Sequence, residues 1–170
     1  KKTLEKAPAA EKTALRRKID HAERVIEELK RYSFLISEYD PFIVVPLGVV
    51  NQSSPFSPQF GDYAVVIVGD KLYPALVGDA GPRYKTGEGS LRLSREINPK
   101  AGPYSRPVSD LKVSYLIFPG SAEPEAGPPD YEKLTDRSRE LLNEIGGMGK
   151  GFKLHQWEDL LAPKPPPAPK

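Results

Sequence analysis

Apolar residues recur at alternating spacings of four and three through Leu15, Ile19, Ala22, Ile26 and Leu29, which sets them along one stripe of a helix. The spacing predicts a helix from about Ala9 to Arg31, supported by the opposite-charge pairs Arg16–Asp20, Asp20–Arg24 and Glu27–Arg31 at i,i+4. Docking of the stripe on the rest of the chain is its expected use, with a partner helix or a stalk as alternatives. After Asp40-Pro41 the period changes to that of strands, first at Phe42–Val45 and Leu47–Val50. The clearest β signal follows: Val65 and Ile67 lie in one strand and Leu72, Ala75 and Val77 in the next, around the primed-turn dipeptide Gly69-Asp70. The second strand is predicted to stop where Asp79 opens a Gly/Pro loop. Leu91 and Leu93 alternate with Arg92 and Ser94, which predicts a third strand with Glu88 at its mouth. Leu111, Val113, Tyr115 and Ile117 share a face of another strand, and Gln52–Phe60 is a Ser/Pro loop placed to wall a cleft. A second helix starts at the N-cap Asp130, carries Tyr131, Leu134, Leu141, Leu142 and Ile145 as its stripe, and ends at Gly146-Gly147.

The chain has 170 residues of which 38% are apolar, enough for one domain with a core. Its 19 prolines and 14 glycines favour a loop-rich β fold with peripheral helices. The expected organisation is an N-terminal helix over 1–31, a β domain over 32–161 and a proline-rich tail over 162–170. The tail, PKPPPAPK, reads as an extended linker beyond which a further domain can follow. Trp157, with Phe152 and Leu160, is expected to close the core.

Several function classes fall away. No cysteine is present, so disulfides, thiol nucleophiles and zinc-thiolate sites are excluded together. With only His21 and His155, a multi-histidine metal site is excluded, and His155 with Asp159 reads as surface chemistry rather than part of a nucleophilic triad. The net charge of +2 gives no case for nucleic acid. No apolar run reaches the ~20 residues that membrane insertion requires. Gly147–Gly151 lacks the Ser/Thr of a phosphate loop and follows a helix instead of preceding one. A start at Lys1 fits a processed secreted protein or a segment of a longer one.

Three segments carry a resemblance: VGDAGP at Val77–Pro82, TGEGSLRLS at Thr86–Ser94 and VSYLIFPGS at Val113–Ser121. Together they resemble the chitosanases of glycoside hydrolase family 75, over Asp40 to Ser121 and towards Trp157. The resemblance implies that Asp79, in its Gly-Asp-x-Gly turn, and Glu88, in its Gly-Glu-x-Ser turn, are the essential acids. It further implies endo-acting, inverting hydrolysis of β-1,4 linkages in chitosan or a related amino-sugar polymer, with no cofactor or metal, in a secreted or cell-envelope protein. The loop between the acids is shorter than in fungal members. The expected fold is mainly β, a six-stranded closed barrel of double-psi type with flanking N-terminal and C-terminal helices.

Glycosidase chemistry needs one protonated carboxyl to donate to the leaving oxygen and one ionised carboxylate to activate water. Glu88, between Gly87 and Gly89, is the expected donor, kept protonated by partial burial. Asp79 is the expected base, its charge held by Arg83 and Lys85. Asp40, Asp62, Tyr73, Tyr84 and Ser90 are expected substrate-binding residues, since carboxylates and aromatic faces suit ammonium and hydroxyl groups. The cationic residues Arg83, Lys85, Arg92 and Arg95 weigh against a fully deacetylated polycation. Two rivals stay open: a peptidoglycan lytic enzyme with one essential acid, and a non-catalytic glycan-binding or attachment module.

Overall fold

A computed structural model describes residues 9–32, 34–50, 52–104 and 112–162. Leu111 and residues 163–170 of the proline-rich tail lie outside the described residues. The chain divides into two units, Lys1–Phe34 and Leu35–Lys170. Among the described residues the first holds one helix, α1 (Ala9–Tyr32), which matches the span that the four-and-three spacing predicts.

The second unit is organised by the hairpin of β2 (Tyr63–Val68) and β3 (Lys71–Gly81). Val68 pairs with Lys71 and Tyr63 with Leu76. Gly69 closes the two-residue turn at φ +60°, a conformation that costs glycine nothing. β3 runs past the end of β2, and its second half pairs in parallel with β1 (Phe42–Pro46). Asp79 therefore lies within the strand and not at the start of a loop. One edge of the sheet is β4 (Glu88–Gly89), antiparallel to β1; the other is β5 (Ser114–Ile117), antiparallel to β2. The order is β4-β1-β3-β2-β5, and β6 (Lys153–Leu154) joins in parallel beside Lys71 and Leu72 of β3.

This architecture corrects the expectation of a mainly β, closed barrel. The six strands form a mixed sheet with helices flanking it, an α/β arrangement, and no ladder joins β4 to β5. The physical reason lies at Ser90. After only two paired residues the chain turns out of the sheet, because the Ser90 hydroxyl accepts from Leu93 N at 3.2 Å and caps α3 (Leu91–Ile97). The same hydroxyl accepts from Phe42 N at 3.2 Å, which fixes the exit point against β1. The predicted third strand is thus a helix. The predicted strand at Leu47–Val50 is likewise one turn of helix, α2.

α4 (Tyr131–Glu144) begins as predicted, with the Asp130 carboxylate accepting from Lys133 N at 3.0 Å. It packs Leu134 and Leu141 onto the apolar cluster of Ile43, Val45, Ala64, Val66, Ala75 and Val77. Ile145 falls off the stripe into solvent, while Thr135 and Ser138 are buried on it. Trp157 is 7% exposed and donates from Nε1 to Pro74 O at 2.8 Å, so it closes the core. Phe152 and Leu160, its expected companions, are exposed.

Candidate active site

Val44 is the centre of the site. On one side it pairs with Asp79 of β3 and on the other with Glu88 of β4. Adjacent strands lie about 4.8 Å apart, so the two acidic residues stand about 10 Å apart at their Cα atoms with Val44 between them. Residues paired across a sheet project from the same face. Ile43 and Val45 are buried, so this row occupies the opposite, open face of β1.

Asp79 reaches that face because of a bulge. The pairing advances from Ile43–Val77 directly to Val44–Asp79, leaving Gly78 as an extra residue on β3. One extra residue reverses the alternation beyond it, so Val77 points into the core and Asp79 points out. Glycine is required there: a Cβ on residue 78 would lie 2.6 Å from the Phe42 ring.

The Glu88 side chain leans back across β1. Its Oε2 lies 2.8 Å from the point where a Cβ on Gly81 would stand, and Val44 Cγ1 lies 3.1 Å from that point. Gly81 is two residues beyond Asp79 on β3 and so shares its face, about 6.6 Å along the strand. The Asp79 carboxylate turns along β3 in that direction, accepting from Ala80 N at 2.7 Å. The two acidic side chains therefore share one face of the sheet, on either side of Val44. Asp79 is exposed, and the Glu88 side chain is 29% exposed.

Lys85 contacts Glu88 Oε1 in an ion pair. This corrects the expectation that Lys85 holds the charge of Asp79. The Tyr115 hydroxyl, reaching from β5 at the far edge, donates to the Glu88 carbonyl at 2.9 Å. Burial, helped by the Glu88 charge, pushes the Tyr115 phenol up to about 12, which keeps it a donor throughout the neutral range.

The other expected residues have different surroundings. Asp40 is buried, with Oδ2 accepting from Ile36 N at 2.5 Å and Oδ1 from the Tyr131 hydroxyl at 2.7 Å. Asp62 is fully enclosed, with its oxygens accepting from Gln59 N at 2.7 Å and Ala122 N at 3.0 Å. Ser90 is buried as the α3 cap, and Tyr73 is buried beside His155 and Trp157. These four are buried within the fold. Tyr84 alone among them is open, 89% exposed on the loop between the two acids. Of the expected cationic rim, Arg92 lies over the Trp157 ring at 5.2 Å and Arg95 pairs with Glu38 at 2.9 Å. Val44, Gly81 and Tyr115 were not legible as site residues, although Gly81 is the final glycine of the Gly-Asp-x-Gly motif.

A cavity of about 270 Å³ lined by Glu38, Tyr39, Arg92, Arg95, Glu96 and Leu160 includes neither acid. Among the described residues no cluster of His, Cys, Asp or Glu could hold a metal, and no helix is long and apolar enough to cross a membrane. Residues 5–152 match the family described as fungal chitosanase of glycosyl hydrolase group 75. No curated protein matches the chain.

Proposed function

The chain belongs to the family of fungal chitosanases, glycosyl hydrolase group 75, and on that premise we propose that it cleaves internal β-1,4 linkages of chitosan, or of a closely related amino-sugar polymer, with inversion. Glu88 is the proton donor and Asp79 the base. The observation that supports this reading is the Asp79–Val44–Glu88 row, which sets both carboxyls on one face. Inverting glycosidases hold their carboxyls about 6.5–9.5 Å apart to admit a water, against about 5–5.5 Å in retaining ones. The proposed inversion requires a separation in the first of these ranges.

In the reaction, Glu88 gives its proton to the glycosidic oxygen as the bond from the anomeric carbon to that oxygen breaks. Water attacks the anomeric carbon from the opposite side and passes its proton to Asp79. Tyr84, exposed on the loop between the acids, would stack on a sugar face. The polymer is the only partner this scheme requires, and its action is outside the cell or at the envelope.

The test is incubation of the purified protein with chitosan, chitin and peptidoglycan, reading reducing ends and the first-formed anomer. Glu88→Gln and Asp79→Asn are each expected to lower kcat on chitosan by about 10²- to 10⁴-fold. Full activity in either variant sinks the two-acid reading. One observation favours the rival of a non-catalytic module: Lys85 already occupies Glu88. No turnover of any of the three polymers by the wild-type protein selects that rival.

A further inference from the structure

Glu88 stands on a strand of only two residues at a sheet edge, where the ladder alone constrains it weakly. We propose that Gly81 and Tyr115 are the positioning residues of Glu88, Gly81 by leaving the space its carboxylate fills and Tyr115 by latching its backbone. The inference rests on the reading of Glu88 as proton donor.

The Gly81 requirement is one of space. Its φ is not positive, so alanine can adopt the same backbone. An added Cβ, however, would stand 2.8 Å from Glu88 Oε2, closer than two such atoms can settle, with Val44 Cγ1 at 3.1 Å closing another side. The carboxylate would have to move off its place over β3, altering its distance to Asp79. Tyr115 acts from the opposite edge. Its hydroxyl donates to the Glu88 carbonyl at 2.9 Å, a tie across the gap that β4 and β5 leave unpaired. Its ring packs on the main apolar cluster, so the hydroxyl is delivered by a fixed body. Donor placement matters because a displacement of about 1 Å at a reacting group can cost ~10² in rate.

The test compares Gly81→Ala, Tyr115→Phe and Glu88→Gln for turnover of chitosan, with thermal melts of each. Gly81→Ala is expected to lower kcat by about 10- to 100-fold and Tyr115→Phe by about 3- to 10-fold, with KM within twofold. In both, the pH–rate limb of the proton donor moves while the other limb stays. Tyr115→Phe keeps the ring, so it remains informative should alanine at 81 unfold the protein. Wild-type kcat and pH profile in Tyr115→Phe and in folded Gly81→Ala, with Glu88→Gln inactive, overturn the inference while leaving the donor reading intact. Full activity in Glu88→Gln overturns both.

Discussion

The ammonium of Lys85 rests on the carboxylate of Glu88. Both side chains are partly exposed, Lys85 at 56% and Glu88 at 29%, and a pair of this kind contributes at most about 1 kcal/mol to stability. On the function proposed above, its larger effect would be on a cationic substrate, which would meet a like charge at the acid it must approach. Lys85→Ala is therefore expected to lower KM for chitosan several-fold at low ionic strength. At about 1 M salt, where screening acts within about 3 Å, the difference should vanish. Steady-state kinetics at both salt concentrations check this. A rise in KM in the variant would show that Lys85 assists binding instead.

Asp62 controls the chain beside the bulge. Its carboxylate holds the N–H groups of Gln59 and Ala122, its carbonyl accepts from Val77 N at 2.8 Å, and Gly61 N donates to Val77 O at 2.8 Å. Asp62→Ala leaves two N–H groups without an acceptor and is expected to cost about 2–4 kcal/mol in urea unfolding. Asp62→Asn keeps one acceptor oxygen and should cost less. An alanine variant as stable as wild type would show that water replaces the carboxylate at no cost.

His155 makes stability depend on pH. Burial is the largest influence on its imidazole and lowers its pKa below the usual 6.5; nearby Arg92 and Lys71 act in the same direction, while Glu96 opposes them. The unfolded chain thus binds the proton more readily than the folded one. Stability from this group is complete above about pH 6.5 and is lost as pH falls from there through the lower folded value. Urea unfolding between pH 7.5 and 5 is expected to show this slope, at most about 1.4 kcal/mol per pH unit. His155→Gln should flatten it; an unchanged slope would assign it to another group.

What could be read from the sequence was whatever local chemistry decides. The Gly69-Asp70 turn, the Asp130 cap and the four-and-three spacing of α1 each carry their cause within a few residues, and each element is found where it was expected. The closed barrel was not a local question. Leu91 and Leu93 satisfy the alternation of a strand as well as they satisfy a first helical turn, and the choice is made by Ser90 through Leu93 N and the distant Phe42 N. The bulge was hidden for a similar reason, since Gly78 is required by a Phe42 ring far away in sequence.

The two candidate acids stand out in the sequence because glycine-flanked motifs carry them, whereas the residues around them come from other strands. Val44 has no chemistry of its own, and Tyr115 reaches Glu88 only because two sheet edges approach each other. Asp40 and Asp62 drew a reading as substrate contacts because a carboxylate that braces backbone N–H groups has the same letter as one that faces solvent. Burial separates the two uses, and burial is a property of the folded chain.

The position of Trp157 bears on where this domain can be cut. The family match stops at residue 152, yet the indole that seals Pro74 and the strand alongside Lys71 and Leu72 both come after it. A truncated version designed on the recognisable segment would therefore expose the underside of the hairpin that carries Asp79. The stretch that evolution labels and the stretch that must fold cooperatively do not share a border here, and expression boundaries belong beyond the indole.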